Sequence, residues 1–291
     1  PGKLSNVVFF PLYPLVVWLL HAILPVRDIT AGWIVSAFAS FFSALLLVRH
    51  TKLHHAKLDP ILPSVFLFIF PTAFFLQVVY TESLFLALTI AFFTALLSRK
   101  YPLATLLGVL AALTRVTGSL LIIPALIEWW VAYRQHKSRT RDLAMLCLIP
   151  LATIGFFAYH WIAFGDPLLF FHVEAVWGRA FSLRSGNFVF NTPPAIVNQL
   201  FDFLMACFGI ILSFLAAKRL RLSYGLYMLA TIAVALSTGT LMSIGRYVLV
   251  LFPFALVLTT TSRTTQMMYA FSALLLCGMV TTLFATNSWA G

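Results

Sequence analysis

The 291-residue chain is 62% hydrophobic and 9% charged, with a mean hydropathy of +0.99 and a formal net charge of +11. Soluble domains carry about 25% charged residues, so this chain could not cover its own surface in water. The positive balance therefore argues for cytoplasmic loops of a membrane protein and against a nucleic-acid partner.

With lipid as the main solvent, the backbone must satisfy its own hydrogen bonds, which leaves helices or a closed barrel. The apolar runs are continuous and rich in Leu, Phe and Ala rather than alternating, which selects helices. The expected fold class is an all-α polytopic transmembrane bundle forming one domain over 1–291. In chain order, segment 8–24 carries Pro11 and Pro14 near its start and Trp18 and His21 further on. It reads as a helix lying in the outer interface rather than a span. Spans follow at 32–48, 62–80, 82–98, 102–114, 117–133, 143–163, 198–217, 222–239, 246–261 and 267–285. The short arms at 102–133 make a helical hairpin. The exceptional connection is 164–197, a polar outer loop containing Pro and Gly. Cys147, Cys207 and Cys277 lie in apolar runs without metal-ligand spacing and read as small core residues.

Basic residues orient the spans. Arg49, Lys52, Lys57, Arg99, Lys100, Arg134, Lys137, Arg139, Arg141, Lys218, Arg219, Arg221 and Arg263 fall on one side, which becomes the cytoplasm. His50, His54 and His55 read as part of a solvated basic loop on that side, and Glu128-Trp129-Trp130 as an aromatic belt at the same boundary. The opposite face gathers Tyr80-Thr81-Glu82-Ser83, the hairpin tip Thr114-Arg115-Val116-Thr117-Gly118, Asp166 with Trp177-Gly178-Arg179 in the long loop, and Ser243-Ile244-Gly245-Arg246-Tyr247.

Helices beginning near Glu82, Gly118 and Arg246 point their N-termini at that outer face, where free N–H groups and positive partial charge favour an anion. Arg115 and Arg246 add forked donors suited to phosphate. A duller reading stands beside this one: Thr81 and Glu82 as a helix cap, Arg115 and Arg246 as structural ion pairs with Glu82 or another carboxylate, Asp166 as a turn residue and Trp177 as an interface anchor. Ionisable residues at membrane depth are nevertheless functional by default. No nucleotide loop, HExxH pair, nucleophile elbow or carboxylate metal cluster occurs, so neither a cofactor nor a metal is expected.

The segments FFPLYPL, FPTAFFLQVVYTESLFLAL, LTRVTG, GDPL with a following WGR, and SIGRYVLVLFP, in that order between Phe9 and about Pro253, resemble the PIG-V-like mannosyltransferases. The resemblance implies a GT-C glycosyltransferase of the multi-span kind with an outward-facing site. It implies transfer of a mannose or related hexose from a polyprenyl- or dolichyl-phosphate donor to a glycolipid or glycan acceptor, with inversion. It also implies an essential acidic residue, typically Asp, ahead of the FFPLYP segment; nothing acidic precedes Phe9 here, and the expectation is a fragment that begins after it. Within this chain the candidates are Glu82 as the carboxylate, Arg115, Arg246 and Tyr247 for the donor phosphate, and Tyr80, Asp166, Trp177 and Arg179 for shaping the acceptor side. A bacterial cell membrane is the favoured location, or the endoplasmic reticulum membrane in a eukaryote. A secondary transporter and a non-catalytic scaffold remain open alternatives; a transporter should show repeats and broken helices near mid-membrane.

Overall fold

A computed structural model describes residues 9–176 and 193–286. The helices are α1 (Leu12–Ile23), α2 (Asp28–His54), α3 (Leu62–Phe68), α4 (Glu82–Leu97), α5 (Tyr101–Ala112), α6 (Ile122–Arg134), α7 (Thr140–Leu146), α8 (Leu148–Phe164), α9 (Leu169–Val176), α10 (Pro193–Arg219), α11 (Leu222–Leu236), α12 (Ile244–Leu249), α13 (Pro253–Thr259) and α14 (Arg263–Ala285). Two 3-10 turns, Ala73–Leu76 and Val116–Leu121, complete the set. No strand occurs among the described residues.

Each expected span contains helix, and five helical stretches are long and apolar enough to cross a bilayer: Asp28–His54, Val116–Arg134, Thr140–Phe164, Val197–Arg219 and Arg263–Ala285. The chain is an integral membrane protein. Its exterior agrees, because Trp18, Ile29, Trp33, Phe38, Phe41, Phe214, Met268 and Phe271 are all more than half exposed. A surface so continuously apolar suits lipid and not water.

Two expected spans are not continuous helices. Pro71 separates α3 from the turn at Ala73–Leu76, and Pro253 opens α13 after α12 has ended. Proline lacks the N–H that would continue a helix and clashes with the preceding turn. Helix α1 is a separate 12-residue element, about 18 Å long at 1.5 Å per residue. That is well short of the ~30 Å hydrocarbon core. The cysteines depart from expectation: Cys147 is exposed and Cys207 and Cys277 are partly so, hence none is a core residue.

The core is built around α4 and α13. Helix α4 packs along α2 on one side and α5 on the other, burying Phe85, Ile90, Phe92 and Phe93 completely. Residues 254–257 of α13 have no accessible surface. A helix apolar on all sides belongs in the interior of the bundle.

Candidate functional site

Three polar residues that are far apart in sequence meet where α4 begins. Glu82 is the first residue of α4 and is fully buried. Arg246, on α12, donates from Nε (2.8 Å) and Nη2 (2.6 Å) to Glu82 Oε1. Arg115, at the turn after α5, brings Nη1 to 2.8 Å from the same oxygen. Glu82 Oε2 has no hydrogen-bond partner among the described residues. Two guanidinium groups therefore share one carboxylate oxygen, and the cluster carries a formal net charge of +1.

The surrounding chain fixes these positions. Arg115 also donates to Thr81 Oγ1 at 3.2 Å. The expected cap at Thr81 does not form through its side chain; the hydroxyl serves Arg115 instead. The hairpin turn is tight because Gly118 lies against the Ala111 carbonyl, where any Cβ would clash. Arg246 is aimed by a bend at Ser243, a left-handed residue with φ 67°, and by Thr72, whose hydroxyl donates to the Gly245 carbonyl at 3.0 Å.

Aromatic rings complete the walls. The Arg246 guanidinium lies over Phe75 (4.6 Å) and Tyr80 (4.5 Å), and that of Arg115 over Tyr247 (5.4 Å) and Phe85 (5.9 Å). Such contacts stabilise a partly desolvated cation by up to ~2 kcal/mol each. They also hold the guanidinium planes in place, and only 13% and 15% of the two side chains remain accessible. Helix α1 closes the neighbourhood: Leu12 N donates to Leu113 O at 2.9 Å, and the Tyr13 hydroxyl reaches Gly32 O at 3.0 Å and Ser36 Oγ at 2.8 Å.

Of the residues singled out from sequence, Tyr80, Glu82, Arg115, Arg246 and Tyr247 thus converge. Asp166 lies apart from them on the turn after α8, accepting from Leu168 N (2.9 Å) and pairing with His172 Nδ1 (2.7 Å). The bond to His172 holds its carboxyl below the usual aspartate range. Trp177 and Arg179 lie outside the described residues. The sequence reading missed Phe75, Phe85, Tyr13 and Ser36 as neighbours of the cluster. Aromatic residues are so frequent here that no local signal distinguishes Phe75 and Phe85.

The opposite end is built differently. His50 is not on a solvated loop, as its basic neighbours suggested. It lies within α2, fully buried, because the helix runs on to His54 and turns that residue inward. Its Nδ1 meets Thr94 Oγ1 at 2.8 Å and its Nε2 the Tyr224 hydroxyl at 2.6 Å, and His55 Nε2 reaches the same hydroxyl at 3.1 Å. Nearby, Glu128 accepts from Ser223 (2.5 Å) and Arg221 (3.3 Å). Trp129, expected in an interfacial belt, is largely buried with its indole N–H on Arg139 O at 3.0 Å, whereas Trp130 is exposed. These contacts bring the ends of α2, α4 and α6 beside the starts of α7 and α11. The loops carrying most of the basic residues therefore open at this end, and the Glu82 cluster lies at the other. No group of His, Cys, Asp and Glu among the described residues could hold a metal ion.

No family model matches the chain, and no curated protein matches it either. Among solved structures, the crystal structure of ArnT from Cupriavidus metallidurans bound to undecaprenyl phosphate is similar, with a TM-score of 0.61 and 13% sequence identity. The match covers 97% of this chain and 56% of that one. The chain shares its all-helical fold with that ArnT structure. At this identity the likeness concerns architecture, and the chain spans little more than half of the ArnT chain it matches.

Proposed function

We propose that the chain is the membrane part of a glycosyltransferase that uses a polyprenyl-phosphate sugar as donor and works on the non-cytoplasmic face. The single observation carrying this reading is the pair of guanidinium groups on Glu82, held by aromatic stacking at the end of the bundle away from the basic loops. The positive-inside rule assigns that end to the outer side. The ArnT-like fold supports the same reaction class, and ArnT itself was crystallised with undecaprenyl phosphate.

In the proposed reaction the acceptor hydroxyl oxygen attacks the anomeric carbon, and the bond from that carbon to the phosphate oxygen breaks. The hydroxyl proton passes to a carboxylate, and the lipid phosphate departs with the bonding electrons. Arg115 and Arg246 stabilise the charge growing on the leaving phosphate; fixed donors in a dry site are effective because they need no reorganisation. Glu82 keeps the two guanidiniums in register through Oε1. Its Oε2 is buried with the rest of the side chain and has no partner among the described residues. Tyr247 and Tyr80 wall the donor and acceptor sides, and Asp166, Trp177 and Arg179 shape the acceptor approach.

The resemblance to PIG-V-like mannosyltransferases in YTESLF, TRVTG and GRYVLVLFP makes mannose the proposed sugar, with a glycolipid or glycan as acceptor and a bacterial cell membrane as the location. The interruptions at Pro71 and Pro253 would also suit a carrier, but the charged cluster lies at the end of the bundle away from the basic loops. The test is a transfer assay in membranes with lipid-linked mannose on the full-length protein: Arg246→Ala and Glu82→Ala should each lower glycosidic bond formation by at least ~10². Wild-type transfer by both variants would reject the site, and movement of labelled sugar without bond formation would favour the carrier.

A further inference from the structure

A groove of about 570 Å³ opens on the lipid-facing surface beside the charged cluster, lined by Ile29, Thr30 and Trp33 of α2, Val79 and Tyr80 of the connection before α4, and Phe284 of α14. Its size falls within the ~300–1,000 Å³ of ligand sites, and its walls are almost wholly apolar. The groove depends on a close approach at Gly32, where an added Cβ would lie 2.5 Å from Val79 Cγ1. Only glycine there lets the 77–80 segment sit back against α2. Tyr80 joins groove and cluster, since the ring that lines the one carries the Arg246 guanidinium 4.5 Å from its centroid.

We propose that this groove holds the first isoprene units of the polyprenyl phosphate, with Tyr80 at the junction between chain and phosphate. The assignment rests on the donor class proposed above and adds where its chain runs. The argument is charge complementarity joined to an apolar wall. A sugar–phosphate–prenyl diester brings one negative charge and one chain, and the cluster beyond Tyr80 offers a net charge of +1. A glycerophospholipid would bring two chains on one headgroup to the same corner. Of the residues exposed in the groove, Ile29, Thr30 and Trp33 lie on α2, so they select the chain and leave the chemistry to the cluster beyond Tyr80.

The test uses the full chain in phosphatidylglycerol nanodiscs and a polyprenyl phosphate carrying a photoreactive diazirine on its second isoprene unit. Labelling should fall on peptides containing residues 29–33, 77–80 and 284. Unlabelled undecaprenyl phosphate should displace it at least tenfold better than added phosphatidylglycerol. Thr30→Trp, which fills the groove from an exposed helix position, should cut labelling at least fivefold, and Trp33→Ala should alter it without loss of folded protein. Equal competition by phosphatidylglycerol would make the groove an ordinary lipid contact and overturn the assignment, as would labelling elsewhere or labelling indifferent to Thr30→Trp. If groove labelling fails while Arg246→Ala still lowers transfer, the groove is wrong and the transferase reading stands. If the groove labels as expected while the wild type makes no glycosidic bond with any lipid-linked sugar, the groove stands and the transferase reading falls.

Discussion

The two ends of the bundle each bury a polar cluster, and they differ in how completely it is satisfied. Around His50 the groups are closed on one another: both ring nitrogens have partners, Tyr224 receives two histidines, and Thr94 ties α4 to α2. Around Glu82 two cations share one carboxylate oxygen while the second oxygen has no partner among the described residues. A closed network adds rigidity and specifies the packing. An arrangement with surplus positive charge and an unused acceptor is poorly explained by stability alone, because buried ion pairs are weak stabilisers once desolvation is counted. The contrast is that of a structural joint at one end and, on the proposed reading, an anion site at the other.

The most severe test of the contrast is removal of the shared carboxylate. Glu82→Ala leaves two guanidiniums facing each other without compensation, and breaking a buried pair in this way costs ~3–5 kcal/mol. Thermal unfolding in detergent should show a large drop in midpoint, with little folded protein recovered. Arg246→Ala should be gentler on folding, since Arg115 still neutralises Glu82, yet should lower transfer by ~10²–10³, the usual cost of losing one preorganised donor to developing charge. Steady-state transfer with lipid-linked mannose checks it. At the other end the pattern should invert. His50→Ala removes two hydrogen bonds that join α2 to α4 and α11, leaving the Tyr224 hydroxyl only His55 and the Thr94 hydroxyl only the Ile90 carbonyl; at ~1 kcal/mol for each lost bond, the unfolding midpoint should fall. Transfer per folded molecule should stay at the wild-type rate. The smallest effect concerns His55, whose pKa burial lowers to about 4. The folded state thus prefers the neutral ring, so its stabilisation is present above the unfolded value of ~6.5 and drains away as pH falls toward 4. His55→Gln should flatten that part of the pH–stability curve and leave the rest unchanged.

How much of this was readable beforehand follows from the range of each signal. Hydropathy is local, so α2, α4, α10, α11 and α14 announce themselves as apolar runs. Sidedness is also local, since Lys and Arg collect in loops, and it grouped Tyr80, Glu82, Arg115 and Arg246 on one face before any contact was known. The pairing of Glu82 with Arg246 spans 164 positions and that of His50 with Tyr224 spans 174. Nothing in a single sequence links such residues. His50 was misplaced because Lys52 and Lys57 made its surroundings look like a loop, whereas α2 continues past it and turns it into the core. The helix breaks were signalled by Pro71 and Pro253, but their apolar neighbours masked them. The cysteines misled for a related reason: in a bilayer, an apolar run is as often surface as interior.

The central claim is that Arg115 and Arg246 together bind the phosphate of a polyprenyl lipid, and equilibrium binding to the purified chain tests it most directly. Undecaprenyl phosphate should bind with an affinity that weakens at least tenfold in Arg246→Ala, while undecaprenol, which keeps the chain and lacks the phosphate, should bind poorly to both proteins. Equal affinities of wild type and variant for the phosphate, or equal binding of phosphate and alcohol by the wild type, would contradict it.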